Sequence, residues 1–374
     1  MALVNLEGKQ ASQLGFGLMR LPRLADGACD IEQVKGMVDA FMQAGGTYFD
    51  TARAYGDSEA SIRKALVERY PRESYTLATK NAAWISAKDA EEAKRDFDIS
   101  LEQTGAGYFD FYLIHNTGGN RTAVFDKFGM WDFFRQLKAE GKVRHIGLSH
   151  HDNAELLDEL LTAHPEMEFV QLQINYADWE NPNVQSRKCA EVCARHGKPI
   201  IVMEPVRGGT LANPPAPVAD ILHEADPDAS FASWAIRFAL DAPGVAVVLS
   251  GMSTQDQMDE NIRTWKNHEK LSEAELDVLK RAQAKLDSLL DNPCTSCHYC
   301  MKECPMELNI SGMMDSLNRA SMYGPDNGKH WYGFSTSEGH RASDCIQCAQ
   351  CEDACPQHIS IVEKLEHASE LFDE

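Results

Sequence analysis

From Gln13 onward, short apolar runs alternate with amphipathic stretches at a steady interval. Eight runs read as strands, at 14–19, 48–50, 75–79, 109–115, 145–149, 169–174, 200–203 and 245–249. Between them, apolar positions at helical spacing predict helices over 32–44, 58–69, 88–103, 132–140, 153–163, 183–196, 231–240 and 255–265. A Ser, Asp or Asn able to cap a helix start precedes most of these, and Gly45, Gly141 and Gly197 stand where a helix should stop. Eight strand-helix units with crossovers of this length demand a parallel sheet, and eight parallel strands close most simply into a (β/α)8 TIM barrel. An open doubly wound sheet is the competing architecture, disfavoured because no GxGxxG opens the first unit. Residues 272–290 read as one more helix, covering the barrel. Asp291-Asn292-Pro293 then marks the boundary between a barrel domain, 1–290, and a small, mainly helical C-terminal domain, 291–374, in which 311–322 has helical periodicity.

Composition narrows the function classes. The 374 residues are 43% hydrophobic and 25% charged, enough apolar material for a large domain and a smaller one. A formal charge of -21 argues against a broad nucleic-acid footprint, since phosphate binding needs a surplus of Lys and Arg. The opening MALVNLEGKQ lacks a basic stretch followed by an apolar one, and no uncharged apolar run reaches the roughly 18 residues that a membrane-spanning helix needs. A soluble, cytoplasmic protein is the expectation. Of 11 cysteines, only Cys29, Cys189 and Cys193 precede Cys294; this crowding predicts a bound site and not a disulfide framework.

In a parallel barrel the active site lies at the C-terminal ends of the strands, so polar residues there are catalytic candidates by geometry. Asp50 ends the second run, Lys80 follows the third, His115 ends the fourth, and Tyr55 lies five residues past Asp50. Taken singly, an Asp here caps a helix and a Tyr fills a core; four ionisable groups on one rim point to chemistry.

The stretches YFDTARAYGDSE, LATK, FDFYLIHN, KVRHIGLSHHD and SGMSTQDQMDENI, in this order within roughly residues 1–290, resemble the aldo-keto reductase superfamily. VNLEGKQASQLGFG resembles the hairpin that closes the bottom of that family's barrel, followed by its first strand. The resemblance implies NAD(P)H-linked carbonyl reduction or alcohol oxidation on a small molecule, with a tetrad of Tyr55, Lys80, Asp50 and His115. Tyr55 would donate the proton to the developing alkoxide, Lys80 would lower its pKa, Asp50 would orient and neutralise the lysine, and His115 would position the substrate oxygen. It also implies that Ser149, Gln171 and Asn175 hold the nicotinamide amide, with His150 in place of the usual Asn. Met203, anchored by Pro205, aligns with the usual stacking Tyr, while Glu260 and Asn261 fall where adenine is contacted. Gly251 and Gln257 replace a common Lys and Arg, so discrimination between NADPH and NADH is expected to be weak.

Cys294-x2-Cys297-x2-Cys300-x3-Cys304-Pro305 recurs as Cys345-x2-Cys348-x2-Cys351-x3-Cys355-Pro356, the bacterial ferredoxin run for [4Fe-4S] clusters, present twice. The fourth cysteine of each run ligates the other cluster, which assigns Cys294, Cys297, Cys300 and Cys355 to one cube and Cys345, Cys348, Cys351 and Cys304 to the other. Zinc is the alternative, disfavoured because structural zinc sites show paired CxxC knuckles. Trp331, Tyr332 and Phe334 are expected to pack on the barrel.

Two function classes compete. One is a nicotinamide-dependent reductase or dehydrogenase with substrate held by loops 116–130, 176–187 and 206–230. The other is an electron-transfer protein whose clusters feed single electrons to a redox partner protein or to a substrate at the barrel mouth. An intact tetrad separates them, since an inert barrel has no use for one.

Overall fold

The computed structural model describes residues 11–182, 184–292, 294, 299–337, 339–355 and 359–373, with 119, 120, 299 and 302 described by backbone alone. Cys297 and most of the expected N-terminal hairpin lie outside the described residues. The chain divides into two compact units, one of Met1–Ala212 and Ser230–Ser272, the other of Asn213–Ala229 and Glu273–Glu374.

The first unit is an eight-stranded closed barrel: β1 Leu14–Gly17, β2 Tyr48–Asp50, β3 Thr76–Asn81, β4 Phe109–Thr117, β5 Val143–His150, β6 Phe169–Gln173, β7 Ile200–Met203 and β8 Val245–Gly251. All neighbours pair in parallel, and β1 closes the ring by pairing with both β2 and β8. Parallel strands covered by helices are buried on both faces, and every residue of β3 is buried accordingly. Tyr48, Phe111, Leu113, Phe169, Ile201 and Leu249 fill the inner layer. A second, larger cluster lies between strands and helices, with Phe16, Phe41, Phe49 and Phe97 in edge or tilted contacts. Gly147 on β5 makes room for this filling, because a Cβ there would stand 2.6 Å from the Phe169 ring.

Local chemistry sets the helix starts. Asp30, Asp89, Asn153, Ser230 and Thr254 each accept a backbone N–H in the first turn of the helix they precede. The helix expected over 58–69 is divided into an α segment, Ser58–Ile62, and a π turn, Arg63–Val67, in which Glu68 N reaches back five residues to Arg63 O. The expected loops 116–130 and 206–230 are corrected: they contain the helices Gly119–Lys127 and Ala216–Ala225. The first lies between Gly118 and Gly129, both at positive φ, and its apolar positions are too few to show a helical period.

The second unit is helical. Glu273–Asp287, expected as a cover for the barrel, packs here against Ala216–Ala225. Helices Ile310–Tyr323, Pro325–Ser335 and Ile361–Phe372 enclose a core of Leu308, Met313, Leu317, Leu365 and Phe372. Tyr332 belongs to that core, its hydroxyl donating to Asp373 Oδ1 at 2.7 Å and accepting from Ala342 N at 2.7 Å. Trp331 and Phe334 are 39% and 62% exposed, and within this unit their rings lie 5.6 Å apart, with Arg319 over Trp331. Among the described residues no helix is long and apolar enough to cross a membrane.

At the N-terminal end of the barrel, Arg72 holds the fully buried Asp110 at 2.6 Å and donates to Ala106 O and Tyr108 O, while Leu77 N donates to the same carboxylate. Arg72→Met removes the nearer of the two guanidinium groups at this buried carboxylate, Arg144 remaining at 3.7 Å, so denaturant unfolding should show a loss of about 3 kcal/mol. Steady-state kinetics should be unchanged, because this end of the barrel lies opposite the strand ends that carry the candidate chemistry.

Candidate active site and cluster cavity

The four rim candidates converge. Lys80, buried near the end of β3, donates to the Asp50 carboxylate, to Thr51 O at 2.8 Å and towards the Tyr55 hydroxyl at 3.4 Å. The Tyr55 ring meets His115 edge-on with centroids 5.7 Å apart, and Trp84, on the short helix Ala83–Ser86 after β3, approaches His115 at 6.3 Å. The segment carrying Tyr55 is braced: Thr51 Oγ1 and Ser58 Oγ are 2.7 Å apart, Ser58 Oγ donates to Leu18 O, and Tyr55 N donates to Ala52 O.

Electrostatics decide the protonation states. Burial lowers the Lys80 pKa, but Asp50 and Tyr55 more than offset it, so the lysine remains an ammonium. Burial pushes the Tyr55 hydroxyl above its ordinary value of 10.0 although Lys80 pulls it down. The expected net lowering by Lys80 is therefore corrected: in the free site desolvation outweighs the ammonium, and Tyr55 keeps its proton. His115 falls well below 6.5 through burial, then Lys80 and His151, and is neutral at pH 7. A protonated phenol beside an ammonium and a neutral imidazole can give a proton to an oxygen on which negative charge develops.

The residues tied by resemblance to a nucleotide divide into those with spare hydrogen-bonding capacity and those already committed. Ser149 on β5 and Gln171 on β6 are register partners and buried; Ser149 Oγ accepts from Asn116 N at 2.8 Å, and Gln171 Oε1 is buried without a partner. Asn175 is committed: its amide nitrogen donates to Asp178 Oδ2 and Glu204 O, and its oxygen accepts from Asp178 N. His150 uses Nε2 on Asn153 O and Nδ1 on Thr117 Oγ1. Met203 ends β7, half-buried, opposite Gln173. Asn261 donates to Ser250 Oγ at 2.8 Å, and Glu260 Oε1 is buried without a partner.

Gly17 and Gly251 face each other where β1 meets β8. A Cβ on Gly251 would come no closer than 3.9 Å to any atom, so this floor is bare backbone. It adjoins the start of helix Gln255–Lys266, where Gln257 N donates to Thr254 Oγ1 and Ser253 N to Gln257 Oε1 at 2.8 Å, a reciprocal cap. A side-chain-free floor beside a helix N-terminus is the setting in which phosphate is held. The donors and orphaned acceptors present thus fit a nicotinamide dinucleotide. Glu204, a residue the sequence reading passed over, follows β7 at φ 55 and pairs with Arg20 at 3.2 Å; no motif or period marks it.

In the second unit, Cys304 shares one cavity with Cys345, Cys348 and Cys351, walled by Met306, Leu308, Ile310 and Leu365. Gln347 and Ala349 take left-handed backbone conformations at φ 56 and 59, and Gln347 N points at Cys345 Sγ at 3.4 Å. Four thiols around an apolar cavity, with an N–H aimed at sulfur, fit a four-iron cube. Cys294, Cys300 and Cys355 lie in or against the same hydrophobic core. Cys29, Cys189 and Cys193 are buried, and burial pushes the Cys189 thiol up to about 12, which makes it inert packing.

The 4Fe-4S dicluster domain model matches residues 293–359, and the model for the aldo/keto reductase family matches residues 13–284. An aldo-keto reductase of Mycolicibacterium smegmatis is 31% identical over 144 residues, 38% of this chain and 48% of that protein. One of Mycolicibacterium vanbaalenii is 30% identical over 228 residues, 60% of this chain and 74% of that protein. The chain thus spans about half the length of the first of these relatives. Among solved structures, the holo form of a Bacillus halodurans aldo-keto reductase has TM-score 0.61 at 24% identity, covering 74% of this chain and 93% of that one. A Klebsiella pneumoniae aldo-keto reductase in complex with NADPH has TM-score 0.57 at 22% identity, covering 74% and 92%. These structural likenesses show the fold alone. On the family match, which extends over most of the barrel and carries the four rim residues with it, the chain belongs to the aldo/keto reductase family and continues into a 4Fe-4S dicluster domain.

Proposed function

We propose that the barrel reduces the carbonyl of a small molecule, or oxidises the corresponding alcohol, with NADPH or NADH, and that the second unit carries two [4Fe-4S] clusters that relay single electrons. The observation that carries the first part is Lys80 Nζ shared by Asp50, Thr51 O and the Tyr55 hydroxyl beside His115. The bound dinucleotide supplies the hydride. Tyr55 donates its proton to the carbonyl oxygen as charge develops there, Lys80 stabilises the tyrosinate left behind, Asp50 holds Lys80, and neutral His115 orients the oxygen.

Ser149 and Gln171 would hold the carboxamide, with Met203 at the ring; Asn175 supports them from outside through Asp178 and Glu204. The phosphates would lie over Gly17 and Gly251, with Glu260 and Asn261 at the adenosine end. Cys348 and Ile346 at the cluster cavity are exposed, which supports exchange of electrons with a carrier protein. Thiolate clusters persist in a reducing compartment, and the reading therefore places the protein in the cytoplasm.

Two expectations test the site. The rate of reduction should stay level from about pH 6 to about pH 9 and fall only at higher pH, because His115 is neutral throughout and Tyr55 holds its proton past its ordinary value. A step near 6.5 in the kcat profile would assign a charged His115 instead. Gln257→Arg should raise the kcat/KM ratio of NADPH over NADH, since a guanidinium can pair with a 2′-phosphate. The same change removes the Gln257 cap on Ser253 N and should cost about 1 kcal/mol in unfolding. An unchanged nucleotide ratio would place the 2′ position elsewhere.

A further inference from the structure

We propose that the barrel mouth selects a carbonyl substrate that also bears a carboxylate, and that Arg121 binds that carboxylate; the inference rests on the reductase reading above and names its substrate class. Arg121 stands six residues beyond His115, at the start of helix Gly119–Lys127. Its Nε donates to Asn116 O at 3.0 Å, and Asn116, held at φ 64, donates its own N–H to Ser149 Oγ at 2.8 Å. The stem of the arginine is thereby tethered to the turn that joins His115 to Ser149, the residues placed at the substrate oxygen and at the nicotinamide amide.

The head group has been left available. At Gly118, φ 153, a Cβ would lie 2.8 Å from Arg121 Nη2, so the guanidinium rests over backbone that carries no side chain. Among the described residues Arg121 makes no ion pair. Asp126 on its own helix is engaged by Trp131 Nε1 at 2.6 Å, and Asp152 Oδ1 accepts from Asn153 N and Nδ2. Among the described residues, then, a half-buried guanidinium stands without an ion pair in a chain of charge -21. Arg20, across the mouth, is by contrast neutralised by Glu204.

The surroundings suit an anion. His151, whose backbone N–H donates to Thr117 O, lies within electrostatic reach of Arg121, Lys80 and His115. Trp84, edge-on to His115, has its Nε1 buried without a partner. The acid nearest them on this arc is Asp152, whose Cβ lies by the same Gly118 backbone and whose Oδ1 is taken up by Asn153. The phosphates of a dinucleotide do not account for Arg121: their floor lies between β1 and β8, and in a closed ring of eight strands β4 is opposite β8.

The test compares 4-carboxybenzaldehyde with its methyl ester on the full chain with its clusters, reading kcat/KM with NADPH and NADH, alongside benzoate and benzamide binding by tryptophan fluorescence. The acid should be preferred by about tenfold or more, as a charge-assisted pair supports. Arg121→Met should collapse that ratio to about one and abolish benzoate binding, and Arg121→Lys should restore part of each. Equal rates for acid and ester in the unaltered protein, or a preference that survives Arg121→Met with benzoate still bound, would overturn the proposal. If neither aldehyde is reduced yet benzoate binds through Arg121 and benzamide does not, the anion site stands and the reductase reading falls.

Discussion

Tyr55→Phe is expected to lower kcat for carbonyl reduction by roughly 10²- to 10⁴-fold while nucleotide affinity changes little, because it removes a proton donor and no nucleotide contact. Lys80→Met should be as severe for a different reason: it deprives the tyrosinate of its counter-charge and leaves Asp50 buried without its cation. The two variants should therefore separate in unfolding experiments, Tyr55→Phe near the parent and Lys80→Met well below it. A Tyr55→Phe enzyme that keeps near-parent turnover, in single turnovers where a deuteride isotope effect shows chemistry to be rate-limiting, would remove Tyr55 from the mechanism.

Protein isolated without oxygen should be brown, bleach with dithionite and contain about eight irons per chain. Cys304→Ser and Cys348→Ser should each remove the same cube, about four irons, since the two thiols line one cavity although they belong to different CxxCxxCxxxCP runs. A cube that survives Cys304→Ser but not Cys348→Ser would refute crossed ligation. The electron-relay role makes a further demand: cubes lost through Cys297→Ser should leave nicotinamide-driven reduction in place and stop reduction driven by dithionite or a reduced ferredoxin. Absence of any cluster-dependent electron flow, with both cubes present and a turned-over substrate in hand, would make the clusters structural.

Much of the barrel was legible because parallel strands are buried on both faces and so stand out as apolar runs. β2 and β7 match their expected bounds, while β4 and β5 run on past the apolar residues to pair Thr117 with His150. The helices at 119–127 and 216–225 escaped notice because each presents few core positions, Val218 and Leu222 being the buried residues of the second. The convergence of Asp50, Lys80 and His115 could be read from strand ends, since a C-terminal rim position needs no knowledge of packing, and Tyr55 follows Asp50 by five residues. Protonation states could not: whether Tyr55 moves up or down depends on a contest between burial and a lysine 3.4 Å away. Nor could spacing show that Asn175, His150 and Asn261 already spend hydrogen bonds on their neighbours.

The cavity that joins Cys304 to Cys345, Cys348 and Cys351 places a constraint on how the protein is made. A ribosome adding about 5–20 residues per second needs roughly 2 to 8 s to travel from Cys304 to Cys345, and throughout that interval Cys304 is a thiol without its partners. The barrel's strands are all synthesised earlier, so they have time to pair before any iron can be lodged in this cavity. If the cavity takes a cube as proposed, supply of iron and sulfide would limit the last step of maturation and leave the folding of the barrel untouched. Cells starved of iron should accumulate a barrel-folded, colourless form that gains its colour later, without new translation.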